Sequence, residues 1–237
     1  MMIKEVHITS LSGCPRRLEL ESRSNEMSNL FFAPIHIVPL RGIILHSALE
    51  QLIRHGDYTL TKEELLKERM YEVPDRTFNI ALKHSKQLLE NARTWFETTN
   101  FDIKKLSPEV RITRKFNEIT VTGQIDAHSD DTIIDFKQSK QVMRKSFLSQ
   151  LAGYSWLLDE NKEYNRYLIF FGGNEPTEVK LTTSHIKTGD ELFRTNLLTT
   201  YKLINEINSN NQSQFVTKCK TTMLCAYCEF RSICDGV

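Results

Sequence analysis

The hydrophobic positions change their period about midway along the chain. In the first hundred residues they recur three and four apart. Leu40 to Arg54 sets Ile44, Leu45, Ala48, Leu49, Leu52 and Ile53 at helical spacing. Phe78 to Thr98 does the same through Ile80, Leu82, Leu88, Leu89, Trp95 and Phe96, and Lys62 to Tyr71 carries a shorter run of the same kind. Near the start, Thr9 or Ser10 is placed to cap a short helix carrying Cys14. Then the period falls toward two. Glu109 to Phe116, Ile119 to Ala127 and Thr132 to Lys137 read as three successive strands. Met143 to Leu158 reads as a helix and Arg166 to Phe171 as a buried strand. Glu178 to Leu181 reads as a further strand, and His185 to Ile207 as a long amphipathic helix. This order predicts an α/β (α+β) fold, a mixed sheet flanked by helices. We expect a single domain over 1–237, comprising a mostly helical part (1–107), a core (108–207) and a Cys-rich tail (208–237). The polar run Asn208 to Ser213 marks the start of that tail.

Composition narrows the field. The 237 residues, 40% hydrophobic and 26% charged, suffice for one sizeable core. Lys and Arg total 31 against 30 acids, so a nucleic-acid partner must be held by a local basic cleft rather than by bulk charge. No apolar run reaches the roughly 18 residues of a membrane helix, Leu30 to Leu40 being broken by Pro34 and Pro39. The N-terminus lacks the apolar core of a signal peptide, so the expected location is cytoplasmic, away from membranes.

The most informative stretch runs from Gly123 to Lys140, GQIDAHSDDTIIDFKQSK. An acid two residues before a lysine occurs four times, at Asp102/Lys104, Asp135/Lys137, Glu160/Lys162 and Glu178/Lys180, so the spacing alone means little. The second has a distinctive setting. Asp135 and Lys137 leave the same face of a strand. If Asp130 and Asp131 form a two-residue hairpin loop, Asp126 falls opposite Asp135, with Cβ atoms about 5 Å apart. Adjacent carboxylates repel unless a cation neutralises them, and Mg²⁺ or Mn²⁺ does so with oxygen ligands. Lys137 is then placed to orient a water or steady charge on a phosphate. A solvated hairpin with an ordinary surface ion pair is the competing reading.

The following residues favour the site. Lys137, Lys140, Arg144 and Lys145 form a patch without an acid. Gln150 and Tyr154 stand one helical turn apart, placed to hold the lysine or to stack on a nucleotide, or else simply to pack. His46 lies on the first long helix as a core residue held by Glu50 or as a metal ligand brought to the carboxylates by packing. In the tail, Cys225, Cys228 and Cys234 form C-x2-C-x5-C, with Cys14 and Cys219 competing as a fourth ligand. The uneven spacing suits an iron–sulfur cluster somewhat better than zinc. A site using Cys14 closes nearly the whole chain into a loop, removing on the order of 5 kcal/mol of unfolded-chain freedom.

Together these motifs resemble the RecB-like branch of the PD-(D/E)XK nuclease superfamily, with its restriction-endonuclease-like sheet. The chain is most similar to its iron–sulfur members, the AddB-type nuclease domain and the CRISPR-associated adaptation exonuclease (the fourth Cas family). SLSGCPRR and CAYCEFRSIC resemble the family's cluster cysteines, and GIILHSALE its histidine helix. Gly123–Asp126, Ile134–Lys137 and Gln150-x3-Tyr154 resemble its metal, catalytic and following-helix motifs. The resemblance implies that His46, Asp126 and Asp135 bind the metal, with the Phe136 carbonyl helping. It implies that Lys137 positions the attacking water and that Gln150 and Tyr154 support it. It implies a 4Fe-4S cluster on Cys14, Cys225, Cys228 and Cys234 that joins the two termini, leaving Cys219 without a role. Glu109 matches an acidic residue that the family carries just before its metal motifs.

The expected function is metal-dependent hydrolysis of DNA at single-stranded ends, by in-line attack of water on the phosphodiester. The family alone implies 5′ to 3′ polarity. The chain length and the lack of helicase motifs favour a CRISPR-type enzyme, with adaptation integrase proteins as partners, or a phage or plasmid nuclease. The rival reading is a DNA-end-binding or assembly subunit with idle carboxylates and a structural cluster, against which Asp126, Asp135 and Lys137 speak.

Overall fold

The structure, a computed structural model, describes residues 4–11, 14–23, 37–63, 73–209 and 234. The strands are β1 (Glu5–His7), β2 (Ser107–Phe116), β3 (Ile119–His128), β4 (Thr132–Lys137), β5 (Asn165–Phe170) and β6 (Thr177–Lys180). The helices are α1 (Pro15–Arg23), α2 (Ile37–His55), α3 (Asp75–Thr98), α4 (Lys145–Leu158) and α5 (Thr183–Ser209), and Ile8–Ser10 forms a 3-10 turn. The expected mixed sheet flanked by helices is present.

The sheet is built around β3. One edge of β3 pairs antiparallel with β2 along its length. The opposite edge is shared. Its first half pairs in parallel with β1, through Val6 and Val121, while its last residues pair antiparallel with β4. Between these partners the edge of β3 forks. Beyond β4, β5 runs parallel and β6 antiparallel. The β3–β4 pairs are Ala127 with Ile134 and His128 with Ile133, the register expected of a loop at Asp130 and Asp131.

Helices cover both faces. Ile119, Val121 and Ile125 of β3, Ile133 of β4 and Leu168 of β5 pack with Leu148, Leu151 and Tyr154 of α4 and Phe193 and Leu197 of α5. On the other face Ile134, Phe136 and Ile169 pack with Leu45, Leu49 and Leu52 of α2 and Leu88 and Trp95 of α3. Strand residues two apart ordinarily share a face. Yet Ile125 belongs to the α4/α5 side and Ala127 to the α2/α3 side, so β3 changes face at Asp126.

Some expectations are corrected near the ends. Thr9 and Ser10 lie in the 3-10 turn, which His7 caps, and Cys14 precedes α1 rather than riding on a helix they begin. β1 falls in the part expected to be mostly helical. Three residues are too few to show a period, and their partner lies more than a hundred residues away. The expected helix over Lys62 to Tyr71 is helical at Lys62 and Glu63, and its remainder lies outside the described residues. α5 runs through Asn208 and Ser209, where a polar break was expected; 210–213 lie outside the described residues. No described helix is long and apolar enough to cross a membrane.

Close approach of α4 depends on two glycines. A Cβ on Gly123 would meet Leu157 Cδ1 at 2.6 Å and Tyr154 Cε1 at 3.2 Å. A Cβ on Gly189 of α5 would lie 2.6 Å from the Leu148 backbone oxygen, an atom that cannot swing aside. Gly189→Ala is therefore expected to lower stability by about 1–3 kcal/mol, although alanine is the better helix former. Thermal melting checks this; an unchanged or raised midpoint would mean that α4 and α5 can separate freely.

Candidate metal centre

The fork in β3 gathers the polar residues that the apolar layers enclose. α2 is docked along the sheet by Leu45, Leu49 and Leu52, and Arg54 Nη2 donates to Pro108 O at 3.0 Å. This carries His46 over the fork. Its Nδ1 lies 3.2 Å from Asp126 Oδ1 and 3.4 Å from Glu109 Oε1. Glu50 instead pairs with Arg54 at 2.9 Å, so it does not hold the histidine.

Glu109 reaches the site through an unusual backbone. Its φ is 51°, left-handed for a side chain that ordinarily avoids that region. The β2–β3 ladder is continuous in register on either side, yet skips the position where Glu109 faces Asp126. Gln124 Nε2 donates to Glu109 Oε2 and fixes the carboxylate further. Strain at a site of converging charge costs about 1–3 kcal/mol and persists only where the surroundings impose it.

On β4, Asp135 is completely buried. Its Oδ2 lies 2.5 Å from Lys137 Nζ, while Oδ1 meets no donor among the described residues. Lys137 Nζ also donates to Gln150 Oε1 at 3.1 Å and stands 4.5 Å over the Phe147 ring. Gln150 Nε2 in turn donates to Tyr154 Oη at 2.6 Å. Gln150 and Tyr154 thus form a relay behind the lysine. Tyr154 is 2% exposed, which removes the option of stacking on a nucleotide. Asp126 Oδ2 accepts the Phe136 N–H at 2.6 Å, so a side chain takes a backbone donor where β3 and β4 part.

The electrostatics follow from crowding acids where Asp126 and Asp135 are buried and His46 and Glu109 are part-exposed. Burial alone would lower the His46 pKa, but Asp126 and Glu109 outweigh it and raise it to about 10. Burial works to raise Asp126, and His46, Lys137 and the Phe136 N–H overcome it and hold the carboxyl below its ordinary range. Burial pushes Asp135 up to about 7, with Lys137 pulling down and the Asp126 charge reinforcing the rise. Burial and the same acids push the Tyr154 phenol well above its ordinary value.

One nitrogen of His46 and one oxygen each of Glu109 and Asp126 lie within 4.8 Å of one another. An imidazole with carboxylate oxygens suits Mn²⁺ or Mg²⁺. The donorless Oδ1 of Asp135 on the adjoining strand is a second sign that a cation fits, because buried carboxylate oxygens rarely go unmatched. The Asp135 carboxylate itself stands with Lys137 rather than within the three-residue group. Glu109 is the residue hardest to see in the sequence; its one signal is the match to the acidic residue that the resembled family carries just before its metal motifs. Of the cysteines, Cys14 and Cys234 are half-buried, and Cys219, Cys225 and Cys228 lie outside the described residues.

No curated protein matches the sequence. A solved candidate exonuclease from Eubacterium rectale has a similar fold, with a TM-score of 0.56, 10% identity, and coverage of 93% of this chain and 92% of that one. The solved structure of SSO0001 aligns over 100% of this chain and 88% of its own, at 16% identity and a TM-score of 0.47. A family model described as the PD-(D/E)XK nuclease superfamily matches residues 7–235, and the chain belongs to that superfamily.

Proposed function

We propose that the chain is a metal-dependent deoxyribonuclease that hydrolyses phosphodiester bonds at single-stranded DNA ends. The observation that carries this reading is the convergence of His46, Glu109 and Asp126 beside the buried, partly unmatched Asp135. In the proposal His46, Glu109, Asp126 and Asp135 hold a Mn²⁺ or Mg²⁺ ion, with the Phe136 carbonyl beside them. When bound, that ion supplies Lewis-acid stabilisation of charge on the phosphate. Lys137, steadied by Asp135 and Gln150, orients the water that attacks phosphorus in line with the leaving oxygen. Tyr154 keeps Gln150 in place from the protein interior. The buried layers around the fork limit competing water and strengthen these interactions.

Action at ends is supported by the similar fold of the Eubacterium rectale protein, described as a candidate exonuclease. The 5′ to 3′ polarity is a further part of the proposal, taken from the RecB-like resemblance. We read residues 1–237 as one nuclease domain with a core over 108–207. Its proposed 4Fe-4S cluster uses Cys14, Cys225, Cys228 and Cys234. Its support is the cysteine spacing and the packing of α1, just after Cys14, on α5, from which the Cys-rich tail departs. The proposed setting is cytoplasmic, in CRISPR adaptation beside integrase proteins or in phage or plasmid DNA processing; adaptation genes next to this one would decide for the former.

Digestion of end-labelled single-stranded DNA with Mn²⁺ tests the catalytic assignment. Asp126→Ala, Glu109→Gln and Lys137→Ala should each slow cleavage by about 100-fold or more. Equal rates in all four proteins would reject it. Binding is separable from turnover. Mn²⁺ should raise the melting temperature of the wild type, as a ligand of the folded state does, and that rise should vanish in Asp126→Ala. A rise of the same size in the variant would move the metal elsewhere. Anaerobically purified protein should be brown with broad visible absorbance, and Cys14→Ala should lose the colour; a colourless protein with stoichiometric zinc would replace the cluster by zinc.

A further inference from the structure

Only four large apolar side chains stand well exposed among the described residues: Val38, Val142, Met143 and Leu198. Two are consecutive, on the loop that leaves β4 directly after Lys137. The base of that loop is fastened at both ends. Gln138 Nε2 donates to Val38 O at 3.3 Å, which places exposed Val38 beside the loop, and Ser139 O accepts from Gly172 N at 3.1 Å. At the far end Arg144 Cζ lies 5.6 Å from the Phe147 ring, the same ring that Lys137 Nζ covers at 4.5 Å. Between these anchors residues 140–146 are all exposed.

An isolated surface valine would need no explanation. This pair differs in its company. Residues 137–158 contain no Asp or Glu, whereas Lys140, Arg144 and Lys145 flank the apolar tip. A cationic rim around an apolar point matches a polyanion with exposed apolar faces. Single-stranded DNA has that character, with its phosphates outermost and its bases free to leave the stack. A duplex keeps its base faces covered and yields them to an apolar tip only at the cost of unstacking.

We propose that the Val142–Met143 tip packs against unstacked bases next to the cleavage site while Lys140, Arg144 and Lys145 hold the neighbouring phosphates. The inference rests on the DNA-end reading above and adds to it the element that selects unpaired strands. The loop delivers a strand to Lys137 because it begins at that residue and returns to its ring neighbour Phe147.

Equilibrium binding in EDTA tests this without turnover, using fluorescent single-stranded and blunt duplex oligonucleotides and the full-length protein. Val142→Ser/Met143→Ser should weaken single-strand binding about tenfold, the scale of losing two apolar contacts, and change duplex binding by less than about twofold. Val142→Leu/Met143→Leu, which keeps the apolar surface, should bind like the wild type. Lys140→Gln/Arg144→Gln should reduce the slope of log K against log salt by about 1.4, as expected for two lost phosphate contacts on a single strand. A 2-aminopurine base stepped along the oligonucleotide should change its emission with the wild type and not with the serine variant. If the serine variant binds single strands unchanged while the wild type cleaves them, the inference fails, the nuclease reading stands, and the tip is left to a protein partner. A wild type that neither binds nor cleaves DNA overturns both.

Discussion

Carboxylates buried side by side on adjoining strands cannot all be charged without positive partners, and much of the architecture supplies them. Asp126 and Asp135 lie where β3 and β4 diverge, with Glu109 on the strand opposite. From one face α2 lowers His46 between Asp126 and Glu109, and the acids raise the imidazole pKa, so that a metal ion bound there would displace its proton. From the other face Lys137 closes on Asp135. The two cations approach from opposite sides of one sheet, so both helical layers must dock correctly for either carboxylate to be tolerated. That is why fully buried leucines of α2 and the glycine contacts of α4 bear on the chemistry as well as on stability.

The same place is where regular β structure gives way. Glu109 takes a left-handed backbone, the β2–β3 ladder skips one pair, β3 changes face and the Asp126 side chain accepts a backbone N–H. These are four aspects of one distortion. A flat ladder would send neighbouring side chains to opposite faces and keep Glu109 and Asp126 in regular cross-strand positions. The distortion turns acids from two strands toward one histidine. Strain of this kind persists only where the surrounding layers hold it. In the proposed enzyme a divalent ion relieves the crowding and gives the strain its purpose.

The residues behind the site divide the labour. Half-buried Gln150 holds Lys137 and is itself held from behind by buried Tyr154. The loop after β4 is exposed and basic between anchors at Gln138 and Ser139 and at Arg144. A buried interior thus meets an accessible rim across a single lysine, as suits the proposed nuclease, whose reacting atoms must be held fixed.

Much of this could be read from the chain because it depends on local order. Period three to four followed by period two separated the helical stretch from the hairpins. The Asp-Asp loop set the β3–β4 register, and one-turn spacing placed Gln150 by Tyr154. These features are settled by neighbours a few residues apart, which the linear pattern records. Other features depended on distant partners. β1 is too short to show a period and owes its place to Val121. Glu109 stands in an alternating strand like any other acid until its backbone turns left-handed. The departure of β3 from period two at Asp126 is invisible to a pattern that assumes the period throughout. His46 could have been held by Glu50, one turn along its own helix; only the docking of α2 on the sheet chose Asp126 and Glu109 instead. The chain by itself determined most of the longer elements and where the ionisable residues lie along them. The tertiary structure decided which charges meet, because burial and layer packing, not sequence proximity, set those distances.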